Sequence, residues 1–345
     1  MKEIIVFILI IFIGHNSNSQ DLHFAQSAQT PLFINPAAAG VYDGWERVIV
    51  NHRNQWLGAG TQFMTTAIGA DINLGKSRFN DKAHLGLGIL FFNDIGGDSK
   101  FGNQAGSLTL SGILPMGRSG HTISAGVQGG FGQRKASLTN VSFMSQWDGS
   151  RFNPLLTGES NPLVSFTYLD ASAGIYYVYD GGRNSFQRND DFKLKIGVSG
   201  FHLNQPKLKY AGGTADNLYR KYVAHIGIVK EFTGSPIAID LNGVQFIQSG
   251  HNETLLGLMV RYRIENGTKI TGNTQQAFFG IGTYYRHKDA IIPSVMIDWK
   301  GFQFGISYDV TISELRKAYS GGSLEFSLSF INLDHSLFKT RRRRF

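Results

Sequence analysis

The feature that most constrains the fold is a strict alternation of apolar and polar residues within short segments. In the segment Phe302–Ser313, phenylalanine, tyrosine and aliphatic residues occupy every second position, with small or polar residues between them. The same pattern recurs at 85–91, 123–131 and 324–330. Because successive side chains of a β-strand point to opposite faces, this pattern predicts strands with one apolar and one polar face.

Segments of this kind follow one another along most of the chain, and fourteen can be delineated. Their approximate bounds are 45–56, 62–74, 83–93, 103–114, 120–133, 168–179, 192–203, 220–232, 236–248, 253–264, 276–287, 290–299, 301–312 and 322–331. Each is close to the roughly 9–11 residues that cross a bilayer at a tilt, and their number is even. The pattern therefore predicts an all-β fold, a transmembrane antiparallel β-barrel of about 14 strands.

The residue types on the two faces bear on whether the barrel lies in a membrane. A soluble barrel or β-sandwich buries its apolar faces, whereas a membrane barrel turns them toward lipid and keeps small or polar residues inside. Large aromatics on the apolar faces, and Gly, Ser, Asn and Gln on the others, favour the membrane barrel. Aromatics near strand ends support this interpretation: Trp45, Trp56, Tyr176, Tyr177, Tyr179, Tyr284, Tyr285 and Trp299.

The lengths of the connections predict an orientation. Membrane barrels have short periplasmic turns, longer outer loops and periplasmic termini. If the first strand runs outward, the two longest connections, at about 134–167 and 204–219, lie outside. The longer of the two is either a flexible surface loop or an element that binds a partner or caps the lumen.

The N-terminus has the pattern of an export signal. Lys2 precedes the apolar run Ile4–Ile13, which is too short to span a bilayer as a helix, and Ser17 and Ser19 suit a signal-peptidase site. We expect a signal peptide at 1–19, a periplasmic or plug segment at 20–44, a barrel at 45–333 and a basic tail at 334–345. The absence of cysteine excludes a lipoprotein anchor, disulfides and a cysteine nucleophile.

Three motifs near the start of the predicted mature chain resemble the PorP/SprF family of outer-membrane proteins of the type IX secretion and gliding machinery of Bacteroidota. The first is Gln20-Asp21 followed by Phe24 and Gln26, and the second is Asn35-Pro36-Ala37 followed by Gly40. The third is Arg53-Asn54-Gln55-Trp56 at the end of the first strand. The residues that carry the resemblance, as structural or partner-binding positions, are Asn35, Pro36, Arg47, Arg53, Asn54, Gln55 and Trp56.

The resemblance implies a component of the type IX secretion machinery in the outer membrane. It would assist the export or the cell-surface anchoring of a large secreted adhesin-like protein. The implied partners are that secreted protein, through its C-terminal domain, other components of the secretion system, and outer-membrane lipid. One branch of the family connects to the periplasmic rings of the machine and another serves one adhesin, and the motifs do not choose between them.

Physical reasoning adds an interpretation of the same residues. Proline restricts the residue before it to extended backbone, so Asn35-Pro36 predicts an extended residue followed by a turn. The preceding segment, with Phe24 and Leu32, is too apolar for a free tail, so we expect it in the barrel mouth or lumen. Arg47, Asn51, Arg53 and Gln55 alternate on the first strand and should face the lumen, where arginines need acidic or carbonyl partners. Such residues either fill the lumen with a polar network or contact a partner directly.

Other functional classes are disfavoured. The ten histidines show no metal-type spacing, and Asp190-Asp191 lies in a predicted turn between Arg188 and Lys193, so no catalytic residue, cofactor or metal is expected. The glycines of Gly86-Leu87-Gly88 and Gly126-Val127-Gln128-Gly129-Gly130 occur within strands, where we interpret them as sites of close packing and not as phosphate loops. Half of the net charge of +8 comes from Arg341–Arg344, so no nucleic-acid groove is expected. An outer-membrane channel or a hydrophobic-solute transporter remains the alternative function.

Overall fold

The structure is a computed structural model. It describes residues 23–55, 63–76, 82–97, 99–117, 120–135, 141–156, 165–183, 192–208, 216–265, 277–314 and 322–333. The strands are β1 Glu46–Gln55, β2 Phe63–Leu74, β3 His84–Gly96, β4 Phe101–Pro115, β5 His121–Lys135, β6 Phe166–Asp180, β7 Phe192–Phe201, β8 Lys207–Leu208, β9 Asp216–Asn217, β10 Lys221–Glu231, β11 Ile237–Gln248, β12 His251–Glu265, β13 Ala277–Arg286, β14 Ala290–Trp299, β15 Phe302–Thr311 and β16 Ser323–Ile331. The expected signal peptide and basic tail lie outside the described residues.

Fourteen of these strands form one closed antiparallel barrel, which confirms the predicted fold class. Each strand pairs with its neighbours in sequence, except that β7 pairs directly with β10, and β1 closes the barrel against β16. The closing register runs from Arg47 opposite Ile331 to Asn54 opposite Leu324. Every predicted strand is present, and its bounds differ from the predicted ones by three residues or fewer. The short hairpin of β8 and β9 was not predicted.

The apolar faces of the strands point outward. Leu108 and Val127, in the middle of β4 and β5, are 64% and 60% exposed, while Thr109 and Gln128 beside them are buried. Contact with lipid requires an apolar outer surface, which this belt provides. It also requires that no backbone group be unpaired in the hydrocarbon region, which a closed sheet achieves. Among the described residues, no helix is long and apolar enough to cross a bilayer.

Two of the aromatics expected at the membrane boundary lie elsewhere. Tyr176 and Tyr284 are buried in the lumen. The reason is that every second residue of a strand lies on the same face. Tyr176 therefore shares a face of β6 with Ser172 and Gly174, which also line the interior. Position near a strand end does not reveal which face a side chain takes. Trp299, by contrast, is half exposed on the outside, as expected.

The two ends of the barrel differ in their connections. We call the end where β1 begins and β16 finishes the terminal rim, and the opposite end the loop rim. The long connection between β5 and β6 lies at the loop rim and contains a small hairpin, in which Trp147 bridges Phe152 around a turn. The Asp148 carboxylate accepts hydrogen bonds from the backbone N–H groups of Ser150 and Arg151 in this turn, which lowers the pKa of Asp148.

Residues 23–44, which we call the lumenal segment, pass through the interior of the barrel. The segment contains three short helical turns, Ser27–Gln29, Pro31–Ile34 and Pro36–Ala38. Leu32, Ala37 and Ala39 are at most 1% exposed. The expected plug is therefore in the lumen. It extends through the barrel from the loop rim at His23 to the terminal rim.

Candidate functional site

Asn35 anchors the middle of the lumenal segment to the barrel wall. Its Nδ2 donates to the backbone oxygens of Ile175 on β6 (2.9 Å) and Val198 on β7 (3.3 Å). Its Oδ1 accepts from the backbone N–H of Ala37 (2.9 Å). Asn35 is extended, and Pro36 begins the following helical turn, as predicted for a residue before proline. The side chain thus uses both of its polar atoms, one against the wall and one within the turn.

Glycines in three adjacent strands make room for this turn. A methyl group at Gly126 on β5 would collide with the backbone of Ala37. At Gly174 on β6 and Gly197 on β7, it would collide with the side-chain amide of Asn35. The three glycines form a seat in the wall, and the interpretation of Gly126 as a site of close packing is confirmed. For Gly129 the same interpretation is wrong, because nothing lies within 4 Å of an added methyl group there.

A second seat lies nearer the terminal rim. A methyl group at Gly86 on β3 would collide with the backbone oxygen of Ala39, so this glycine is also confirmed as a site of close approach. The Ser111 hydroxyl on β4 donates to the same oxygen at 2.6 Å. Sequence reasoning recognised the glycines as close-packing positions but did not identify the lumenal segment as what packs against them.

Arg47 and Asp71 hold the end of the lumenal segment that precedes β1. Arg47 donates from Nε and Nη2 to the two carboxylate oxygens of Asp71, at 2.8 and 2.7 Å. Its Nη2 also donates to the backbone oxygen of Ala38 at 3.3 Å, and Asp71 accepts from the backbone N–H of Gly40 at 2.7 Å. This confirms that Arg47 faces the lumen with acidic and carbonyl partners. A bidentate pair of this kind fixes the orientation of the arginine side chain as well as pairing its charge.

Tyr42 completes this anchor on the terminal side. The guanidinium of Arg47 lies over its ring at 4.3 Å, and its hydroxyl donates to the backbone oxygen of Asp71 at 2.7 Å. Burial raises the pKa of the Tyr42 hydroxyl, and the Asp71 carboxylate raises it further. The hydroxyl therefore remains protonated and keeps donating its hydrogen bond at any physiological pH.

A cluster of four buried charged side chains surrounds the start of the segment near the loop rim. Asp309 accepts from Nη2 of Arg53 and from Nη2 of Arg286, both at 2.9 Å. Glu253 lies 3.7 Å from Arg286 and 3.5 Å from the ring of His23. Arg53 also donates from Nη1 to the backbone oxygen of His23 at 2.8 Å. The prediction that Arg53 faces the lumen with an acidic partner is confirmed.

Glu325 on β16 binds the backbone of the same stretch. Its two carboxylate oxygens accept from the N–H groups of Ala25 (2.7 Å) and Gln26 (2.8 Å). The Gln26 side chain accepts from the hydroxyl of Ser327 at 2.7 Å. Glu325 is fully buried. Sequence reasoning missed this residue, and also Asp71 and Asp309; the usable signal was an acidic residue on the polar face of a spanning strand.

The remaining motif residues take other positions. Asn51 is buried on the lumenal face, as expected, whereas Asn54 points to the outer face and lies opposite Met64 and Leu324. Gln55 is half buried at the end of β1. Trp56 lies outside the described residues. The structure therefore divides Arg47, Arg53 and Asn35 among three separate anchors of one segment.

A model of the family described as type IX secretion system membrane protein PorP/SprF matches residues 16–330. The chain belongs to the PorP/SprF family. With an outward apolar belt on a closed barrel, this makes it an outer-membrane β-barrel of the type IX secretion system. No curated protein matches the chain.

This family member is also similar in shape to solved membrane barrels. One is the toluene transporter TbuX of Ralstonia pickettii, with a TM-score of 0.46, 12% identity, and coverage of 88% of this chain and 94% of that one. Another is the translocator domain of the autotransporter NalP from Neisseria meningitidis, with a TM-score of 0.42, 10% identity, and coverage of 89% and 96%. The likeness is loose and concerns overall shape.

The lumenal segment of this PorP/SprF protein borders two cavities. One, of about 450 Å³, lies toward the terminal rim and is bordered by Pro31 and Ile34 of the segment. The other, of about 60 Å³, lies toward the loop rim and is bordered by Phe33. Within the described part of the chain, no three His, Asp or Glu side chains are grouped as metal ligands would be. The arrangement is built to hold a polypeptide segment by its backbone.

Proposed function

We propose that this protein binds a secreted surface protein at the loop rim and assists its export or its anchoring to the cell. Membership of the PorP/SprF family supports a role in type IX secretion. The client and the adhesin-like character of that client are inferences from the family. The loop rim would face outward, because the longest connections lie there, while β1 begins and β16 ends at the other rim.

The observation that carries the proposal is the filled lumen. A barrel of fourteen strands encloses an interior wide enough for a channel unless something occupies it. Here Ala25, Leu32, Asn35 and Ala37 are at most 1% exposed within that interior, and hydrogen bonds attach the segment to β6, β7 and β16. A barrel whose lumen is filled by a segment of its own chain is better suited to binding a partner than to conducting solutes.

A deletion strain tests the proposal. We expect loss of one or a few large proteins from the cell surface, measured by surface biotinylation and mass spectrometry, with recovery on complementation by the wild-type gene. An unchanged surface proteome and normal adhesion would refute the proposal.

A flux measurement separates binding from transport. In a liposome swelling assay with the purified protein, we expect sugars to enter no faster than into empty liposomes. Rapid swelling would support the alternative of an open channel and count against the binding role. Pull-down from detergent-solubilised membranes would then distinguish the partners: one very large secreted protein, or components of the periplasmic machinery.

A further inference from the structure

The lumenal segment starts at the loop rim. The backbone oxygen of His23 accepts from Arg53, which is two residues before the end of β1 at that rim. The His23 ring lies 3.5 Å from Glu253, the third residue of β12 after the tight turn at the same rim. His23 therefore lies within a few residues of the mouth that the proposed function turns outward.

The stretch His23–Gln26, which we call the strap, is bound through its backbone and through the side chain of Gln26. Arg53 donates to the carbonyl of His23, and Glu325 accepts from the N–H groups of Ala25 and Gln26. These contacts recognise main chain and are open to other sequences. The Gln26 side chain adds sequence-dependent contacts, since it donates to the Ser307 hydroxyl and the Glu325 backbone oxygen and accepts from the Ser327 hydroxyl. Both charged side chains are at most 2% exposed, so the contacts form away from competing water.

Three of the charged groups of this site, Arg53, Arg286 and Asp309, hold one another in place without the strap. Asp309 bridges Arg53 and Arg286, and Arg286 also donates to Asp289 at 2.9 Å. Removing the strap would leave these pairs intact. The part of the site that binds the His23 carbonyl is therefore preorganised, and the strap is a separable occupant of it. Within the described residues, the hydrogen bonds to the Glu325 carboxylate come from the strap itself.

One side chain of the strap fills an apolar position. The ring of Phe24 meets that of Phe33 edge to face, with centroids 5.4 Å apart, and Phe33 lies 5.8 Å from Phe92. Beyond Phe33 is the cavity of about 60 Å³ at the loop rim, which Tyr168 and Phe201 also line. The site thus offers a position for an aromatic side chain, packed against Phe33, beside the charged side chains that bind backbone groups.

We propose that this is a peptide-binding site, occupied here by the strap, that accepts an extended segment of an exported partner in its place. The partner segment would carry an aromatic side chain at the position of Phe24 and no charge on the residues that meet Glu325. The strap can leave without breaking a strand pair, because it precedes every strand in the chain. The inference rests on the proposed function, since the partner must arrive from outside.

The test uses the purified full-length protein in detergent and a fluorescein-labelled synthetic peptide with the sequence of residues 21–30. Phe24→Ala weakens the resident strap but leaves the wall unchanged. We expect the peptide to bind this variant at least tenfold more tightly than the wild type in fluorescence polarisation. A peptide with alanine at the Phe24 position should lose that gain, and Leu155→Ala, on the outer loop, should behave as wild type.

A second substitution examines the backbone contacts. Glu325→Gln keeps the size of the side chain but leaves one acceptor oxygen for two N–H groups. We expect the double variant F24A/E325Q to lose at least tenfold in peptide affinity relative to F24A. Heat-dependent migration of the barrel in SDS gels checks that each variant is folded.

Two results would overturn the proposal: equal peptide affinity of F24A and wild type, or unchanged affinity on adding E325Q in a folded barrel. Neither measurement involves the secretion machinery. An unchanged surface proteome after gene deletion would therefore refute the proposed function and leave peptide exchange standing, while failure of exchange alone would refute only the peptide site.

Discussion

Replacing Asn35 by alanine should loosen the lumenal segment by an amount that the structure allows to be worked out. The change removes two hydrogen bonds to the wall and one to Ala37, and leaves the buried N–H of Ala37 without its acceptor. Each lost bond costs about 0.5–1.5 kcal/mol, and an unsatisfied buried N–H about 1–3 kcal/mol. Since the two carbonyls also belong to paired strands, we expect a total near 2–4 kcal/mol.

The assay exploits the absence of cysteine from the chain. Ala38→Cys places one thiol at a position that is 3% exposed, so a maleimide reaches it only when the segment opens. If opening becomes easier by about 2–4 kcal/mol, the labelling rate should rise by about 30-fold to about 700-fold, at tenfold per 1.4 kcal/mol. The rate is measured by quenched time points and mass spectrometry on the folded barrel.

A matched control, Ser124→Ala, lies on β5, beside the strand β6 that Asn35 contacts. The Ser124 hydroxyl is buried and has no hydrogen-bond partner among the described residues, so Ser124→Ala removes an oxygen without breaking a hydrogen bond. Its labelling rate should stay within about threefold of the parent, which corresponds to less than about 0.7 kcal/mol. If the labelling rate of Asn35→Ala also stays within threefold of the parent, or if both variants raise the rate equally, the anchoring role of Asn35 is wrong.

Three further perturbations test other parts of the architecture. Gly126→Ala should accelerate labelling of the same reporter because its methyl group collides with the backbone of the lumenal segment, whereas Gly129→Ala, with nothing within 4 Å, should not; equal rates would contradict the seat. Asp309→Ala leaves two buried guanidinium groups without their shared carboxylate and should lower barrel stability by about 3–5 kcal/mol. The loss should appear as a lower midpoint in urea unfolding, and an unshifted midpoint would argue against the cluster. Leu108→Arg, at the middle of the outer belt, should cost about 2–4 kcal/mol and reduce the yield of heat-modifiable barrel, while Leu155→Arg in the outer loop should not; similar yields would contradict lipid contact at Leu108.

The anchors explain why the motif residues are spread along the chain. Asn35 requires the glycine seat on β5, β6 and β7, whereas Arg47 requires Asp71 on β2. Arg53 requires Asp309 on β15. Each anchor joins the lumenal segment to a different part of the wall, so the segment is fixed along its length and not at one point.

Part of the candidate site could be predicted from sequence. That Arg47 and Arg53 face the lumen follows from alternation on β1, and that they need acids follows from the cost of an unpaired charge in the interior. The identities of Asp71 and Asp309 could not be predicted, because pairing in a barrel depends on which strands lie across the lumen. Asn54 shows the limit of motif reasoning, since it belongs to the same motif as Arg53 and points outward.

The sequence by itself determined the wall. Alternation with a period of two is a local property, so each strand, its length and its two faces could be read within about ten residues of the chain. The sequence also placed the apolar N-terminal segment in the barrel mouth or lumen, but only the tertiary structure decided which wall residues hold it there. Ala25 binds Glu325 across 300 positions, and Gln26 reaches Ser327 across 301. No periodic pattern encodes such contacts, because they depend on closure of the barrel around a segment that has neither strand nor long helix of its own.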